Sequence, residues 1–152
     1  MNFLSKLKEL DIILPKAPSP VGGYVAYKII HNLLFISGQL PISNDGKIIT
    51  GKIGKDLKLE DGQKASKICV LNILAQVNKA VDGDLSKVKN CVKITGFVNS
   101  TDDFKDQPKV INPASETLTA LFGDSGKHTR AAVSTNSLPL GAAVEIDAIF
   151  EI

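Results

Sequence analysis

The 152-residue sequence has no tryptophan, one methionine, two cysteines and only 5% aromatic residues. So few aromatics leave little on which nucleobases can stack. The formal charge is +2, with 22% charged residues. That near-balance gives no basic field of the kind a nucleic-acid surface needs. Cys69 and Cys91 stand far apart in apolar settings. They indicate no disulfide framework, and buried free thiols in a reducing compartment are the expectation. His31 and His128 are isolated from each other and from both cysteines, so no metal-ligand spacing is present. No apolar run approaches the roughly 18 residues that span a bilayer. Lys6, Lys8, Glu9 and Asp11 break up any signal-peptide core. The phosphate loop G-x-x-x-x-G-K-[ST], the dinucleotide turn G-x-G-x-x-G and the nucleophile elbow G-x-S-x-G are all missing. The expectation is a soluble cytoplasmic protein with no metal or cofactor, no membrane contact and no nucleic-acid partner.

With 43% hydrophobic residues, residues 1–152 can form one domain with a substantial core. Residues 1–17 read as a helical extension, since Phe3, Leu4, Leu7 and Leu10 share one side of a short helix over Asn2–Leu10. Tyr24–Ile30 and Leu33–Ser37 read as two strands joined by His31-Asn32, with Asn32 suited to a left-handed turn position. Ser37 and Gly38 at the end of the second strand offer a hydroxyl and a backbone N–H to a ligand; equally, the glycine marks a bend. Lys47–Thr50 is a candidate short strand. Val70, Ile73, Leu74, Val77 and Val81 carry the buried stripe of a helix over Leu59–Val81, which Asp82-Gly83 ends. In a strand over Cys91–Val98, Val92, Ile94, Gly96 and Val98 share one face, and Cys91, Lys93, Thr95 and Phe97 share the other. A second helix runs from Asp106 to about Phe122, or starts near Asn112 so that Pro113 falls in its first turn.

The last quarter of the chain holds two β-like runs. Val144, Ile146, Ala148 and Phe150 alternate with Glu145, Asp147, Ile149 and Glu151, so one face is apolar and the other acidic. The earlier run carries Arg130, Ala132 and Ser134 on one face. If the two runs pair as an antiparallel ribbon, Arg130 and Asp147 come together on one face. The order β-β-(β)-α-β-α-β-β predicts an α+β fold, a mixed sheet with two helices packed on one face. The uncovered sheet face calls for self-association.

Val21-Gly-Gly-Tyr24, Leu34-Phe-Ile-Ser-Gly-Gln-Leu-Pro41, Val92-Lys-Ile-Thr-Gly-Phe-Val98, Thr129-Arg-Ala-Ala-Val133 and Glu145-Ile-Asp-Ala-Ile149 occur in an order and spacing that resemble the Rid (reactive intermediate deaminase) family, also called YjgF or endoribonuclease L-PSP. The resemblance covers about Pro18 to the C-terminus; the N-terminal extension looks like a longer subgroup. It implies a fold similar to the trimeric type of chorismate mutase, a homotrimer, and ligand clefts between neighbouring subunits. It also implies hydrolysis of imine or enamine acids resembling 2-aminoacrylate to a 2-keto acid and ammonia, with no cofactor. The carboxylate-binding Arg of the family falls on Arg130. Its water-positioning Glu falls on Asp147, one methylene shorter. The cleft Tyr falls on Tyr24, the strand-end contacts on Ser37 and Gly38, and the residue beside the Arg on Ala131. Either Asn112 or Ser115 takes the place of the cleft Asn. Two alternatives stand beside the deaminase: a trimer that binds a small carboxylate-bearing metabolite without turnover, and a ribonuclease. The charge, the few aromatics and the isolated histidines argue against the last.

Overall fold

The computed structural model describes residues 3–152. In chain order the main elements are α1 (Phe3–Glu9), β1 (Tyr27–Ile30), β2 (Leu33–Gln39), α2 (Leu59–Ala80), β3 (Asn90–Asn99), α3 (Gln107–Phe122), β4 (Thr129–Thr135) and β5 (Val144–Glu151). The five strands form one mixed sheet in the order β1-β2-β5-β3-β4. All neighbours are antiparallel except β3 and β4. α2 packs over β2 and β5, and α3 over β3 and β4, so both helices cover one face. This is the α+β arrangement the sequence order predicts.

The two C-terminal runs do not pair with each other. β3 lies between β4 and β5. The reason lies in the helix before β4. A chain that leaves one strand, crosses through a helix and returns comes back parallel, so β3, α3 and β4 form a crossover unit with β4 at the sheet edge. β5 is the strand with the strictest alternation, burying Val144, Ile146, Ala148 and Phe150. It takes the central place, where a strand needs an apolar row against the helices. A core cluster runs from Leu7 through the α2 stripe to Phe150. α1 joins it through Leu7 and through Phe3, whose ring lies 5.5 Å from that of Phe122. Asn2, where the sequence starts that helix, lies outside the described residues.

Several boundaries differ from the sequence reading for identifiable reasons. β1 begins at Tyr27, because the preceding segment meets β2 at an irregular step: the Ser37 hydroxyl donates to the Val25 carbonyl at 2.8 Å. At the hairpin tip His31, with φ 54°, takes the left-handed position, while the Asn32 side chain donates to Glu151 at 3.0 Å. Residues 47–50 form no strand, only single bridges such as Thr50 with Ala142. β3 shifts register between Cys91 and Lys93, so Cys91 turns inward and Val92 outward; the expected faces hold from Ile94 onward. α2 stops at Ala80, and Asp82 and Gly83 leave it with positive φ.

α3 starts at Gln107 and carries Pro113 in its interior rather than in its first turn. Proline has no N–H, so the carbonyl four residues earlier loses its helical donor. That carbonyl belongs to Lys109, and Gln63 of α2 donates its side-chain amide to it at 3.0 Å. The vacancy in one helix is filled from the next, so the proline is tolerated. Gly96 allows the close approach of α3 to the sheet, since a Cβ there would lie 2.5 Å from Cγ1 of Ile111.

The opposite sheet face carries no helix. Phe35 and Val133 on it are 40% and 45% exposed. Among the described residues no helix is long and apolar enough to cross a membrane.

Candidate functional site

Arg130 sits on edge strand β4, on the helix face, level with Ile94 of β3. Its guanidinium reaches α3. One terminal nitrogen, Nη1, donates to the Asn112 Oδ1 at 3.0 Å and to the Ser115 Oγ at 3.1 Å. The other, Nη2, makes a longer contact of 3.5 Å to the Pro108 carbonyl. Asn112 and Ser115, alternatives for one role in the sequence, thus act together and hold Arg130. All three acceptors are neutral, and no carboxylate pairs with Arg130 among the described residues. The charge is aimed but not neutralised. A guanidinium has five N–H donors, so two remain for a ligand. Ser115, Thr119, Lys127, His128 and Arg130 line a recess of about 320 Å³ beside it.

Asp147 lies on the other side of the sheet. It stands on β5 opposite Thr95 of β3, which in turn stands opposite Ala131 of β4. Ala131 and Asp147 therefore share a row on the uncovered face, while Arg130 points to the helices. Two strand spacings, about 10 Å, separate their backbones across the sheet. Within one chain, Arg130 and Asp147 do not form the same-face pair that a β4–β5 ribbon requires.

A second carboxylate, Glu145, was not singled out by the sequence. It stands two residues before Asp147 on the same face, opposite Phe97. It lies against Gly38, where β2 and β5 lose register between Ile36 and Gln39. A Cβ on Gly38 would meet the Glu145 Oε1 and would lie 2.9 Å from its Cδ. The glycine thus lets the acid approach the strand end this closely. Burial, and then repulsion from the Asp147 carboxylate, raise the Glu145 carboxyl above the usual glutamate range. A half-buried carboxyl with a raised pKa beside a second one is suited to accepting and returning a proton. The alternation placed Glu145 and Asp147 on one face, but choosing between them needed the position of Gly38, which only the β2–β5 pairing supplies.

Tyr24 and Gly38 line a small recess of about 50 Å³ together with Pro18, Val21, Ala26 and Leu40. Tyr24 is 55% exposed, and the Ser37 hydroxyl is engaged with the Val25 carbonyl. The expected site residues therefore fall into two groups. Tyr24, Ser37, Gly38 and the acids belong to the β1-β2-β5 side; Arg130, Asn112 and Ser115 belong to the far edge under α3. Cys69 plays no part: it is fully buried in the core, and burial pushes its thiol well up.

Comparison with known proteins fits this geometry into a wider set. Residues 4–151 match the family model described as "YjgF/chorismate_mutase-like, putative endoribonuclease". The chain is 42% identical to Protein TCP17 of Trypanosoma cruzi, over 97% of this chain and 92% of that one. The crystal structure of Atu1372 from Agrobacterium tumefaciens, a protein of unknown function, is 46% identical, with a TM-score of 0.90 over 99% of this chain and 93% of that one. A more distant relative, 26% identical over 91% of this chain and 92% of its own length, is the 2-iminobutanoate/2-iminopropanoate deaminase of Dermatophagoides farinae.

Proposed function

Because the chain belongs to the YjgF/chorismate mutase-like family, whose members include a 2-iminobutanoate/2-iminopropanoate deaminase, we propose that it hydrolyses small imine or enamine acids to 2-keto acids and ammonia. The observation that carries the reading is Arg130, a guanidinium oriented by Asn112, Ser115 and the Pro108 carbonyl and left without a counter-charge. Two remaining donors on a planar cation suit the two oxygens of a carboxylate. The carboxylate of a 2-imino acid then fixes the C=N carbon one bond away.

The chemistry needs little else. A water oxygen attacks the C=N carbon, and one of its protons passes to a carboxylate. The carboxylate hands that proton to the imine nitrogen, giving a neutral carbinolamine. On collapse the same carboxylate carries the hydroxyl proton to the amino nitrogen, so the C=O bond forms as the C–N bond breaks and ammonia leaves. The acid that takes the first proton returns it to the nitrogen, so it must titrate near the working pH. Of the two candidates, Asp147 remains the residue matched by resemblance. Glu145 is the one whose pKa is raised and whose carboxylate is packed against a strand-end glycine. Tyr24 supplies an apolar wall with a hydroxyl tip, Ser37 and Gly38 line the strand end, and Ala131 leaves room beside the acids.

Since Arg130 and the acids lie on opposite sides of one sheet, the reading needs a second subunit. We propose the homotrimer implied by the resemblance, in which the Arg130 edge of one subunit meets the Tyr24–Gly38–Glu145 side of the next. Exposed Phe35 and Val133 on the uncovered face support such association. The same separation favours a second reading, a carboxylate-binding trimer without turnover. The test generates imines from amino acids with an amino-acid oxidase and traps them with semicarbazide. Wild type should suppress semicarbazone formation, and Arg130→Ala should not. Activity of Glu145→Gln and Asp147→Asn separately assigns the proton carrier. A wild type that leaves both small and bulky imines untouched refutes turnover. Stabilisation by pyruvate that Arg130→Ala abolishes would then support the binding reading.

A further inference from the structure

We infer that His128 is a positioning residue that sets the aim of Arg130 through the hydroxyl of Ser115. The inference rests on the reading of Arg130 as the carboxylate holder, and it adds a third layer behind it. The His128 Nδ1 lies 2.7 Å from the Gly126 carbonyl. A carbonyl can only accept, so in the neutral ring Nδ1 carries the proton and Nε2 presents its lone pair. That lone pair lies 2.9 Å from the Ser115 Oγ. The hydroxyl proton of Ser115 is thereby committed to His128. Its oxygen lone pairs are left for Arg130, whose Nη1 donates at 3.1 Å. The direction of every bond follows from one backbone carbonyl: Arg130 donates to Ser115, Ser115 to His128, and His128 to Gly126.

The chemical sense of the relay lies in its neutrality. A carboxylate in the place of Ser115 would orient the guanidinium equally well, but it would also compete with a substrate carboxylate for the same charge. A free serine hydroxyl is a poor aiming device, because it rotates and can point its own proton at the cation. Tying that proton to Nε2 makes Ser115 a fixed acceptor without adding negative charge. The carbonyl that starts the relay is itself fixed. Gly126 packs so closely on α3 that a Cβ there would lie 2.9 Å from the Thr119 Cα. The relay therefore ties Arg130 to one turn of α3 from two sides.

The ligand-independent test is the ring itself. Nitrogen-15 NMR of the histidine rings in the intact wild-type protein should show His128 protonated at Nδ1 with a hydrogen-bonded, unprotonated Nε2. A ring protonated at Nε2 alone overturns the relay, whatever the protein binds. The functional test uses pyruvate as probe and small imines as substrate. His128→Phe should weaken pyruvate binding and raise KM by roughly tenfold, with kcat nearly unchanged, as loss of one hydrogen bond behind a charged group implies. Ser115→Ala should do the same, and the double variant should be no worse than either single one, because both cut one chain. His128→Gln, which returns an acceptor near the Nε2 position, should recover most of the loss. Additive losses, no recovery with Gln, or unchanged binding in His128→Phe would each overturn the inference. If wild type and Arg130→Ala are equally blind to pyruvate and to imines, the carboxylate reading has failed instead, and the ring spectrum alone decides the relay.

Discussion

Replacing Gly38 with alanine separates the two acids more cleanly than replacing either acid. The new Cβ would sit 2.9 Å from the Glu145 Cδ and 3.1 Å from its Cγ, and against Oε1. Carbon atoms in contact prefer roughly 3.5–4.0 Å, so the carboxylate has to withdraw by about 1 Å. The obstacle is the end of a flexible side chain rather than backbone. An off-rotamer χ costs about 0.5–1.5 kcal/mol. Gly38 is not among the positive-φ glycines, so alanine also narrows the unfolded ensemble, stabilising by about 0.4–1 kcal/mol. The two effects nearly cancel. For a chain of this size, 1 kcal/mol corresponds to a Tm change of about 2–4 °C, and Gly38→Ala should melt within a few degrees of wild type. Catalysis is far less tolerant, since a misplacement of about 1 Å can cost on the order of a hundredfold. With Glu145 as the proton carrier, the semicarbazide-trapping assay should therefore show a loss of about two orders of magnitude in kcat/KM with the fold intact. Wild-type turnover by a normally folded Gly38→Ala would exclude Glu145 as the proton carrier and leave Asp147.

Three further outcomes follow from the same geometry. The raised Glu145 carboxyl means the folded state holds its proton more tightly than the unfolded one, so stability falls as pH rises from the ordinary glutamate value through the raised one. Glu145→Gln should accordingly be more stable than wild type near pH 7 and lose that advantage near pH 4 in urea titrations; an equal difference at both pH values contradicts the sign. If the site is shared between subunits, chains with Arg130→Ala and chains with whichever of Glu145→Gln and Asp147→Asn is inactive should together regain about a quarter of wild-type activity when refolded in equal amounts. A site within one chain gives no recovery. Burial pushes the Cys91 thiol up to about 12 and the fully buried Cys69 well up, so Ellman's reagent should find neither in the native protein at pH 8 and both after denaturation; prompt native labelling refutes the burial argument.

The sheet-and-two-helix layering was legible because it depends on periodicity. The α2 stripe and the β5 alternation each record one buried face, and the structure buries both. What periodicity cannot record is which strand lies beside which. The β4–β5 ribbon was a natural reading of two adjacent runs, yet α3 sends β4 to the outside of β3, and with it Arg130 to the helix side. The bulge in β3 was likewise invisible, because one extra residue leaves the composition of Cys91–Val98 unchanged while turning Val92 outward. For the site, the alternation offered Arg130 and Asp147 only as a pair on one ribbon face, and their roles came from the family resemblance. The joint hold of Asn112 and Ser115 on Arg130 was not readable, since it joins the middle of α3 to a strand residue 18 and 15 positions later. His128, two residues before Arg130, is placed by sequence either near the same site or in an exposed loop, and the positions of Ser115 and Gly126 give both ring nitrogens a partner.

Pro113 gives α3 a mechanical role. By removing one rung from the helix ladder, it leaves the Lys109 carbonyl to Gln63 of α2, while the neighbouring Pro108 carbonyl faces Arg130 of β4. Successive peptide groups of one turn are thus gripped from opposite directions, one by the neighbouring helix and one by the edge of the sheet. The turn works as a coupling between the helix layer and the sheet edge, beside the hydrogen bonds that Asn112 and Ser115 accept from the same guanidinium. A load placed on the guanidinium by an incoming anion is borne not by a lone side chain but by α3 and, through Gln63, by α2.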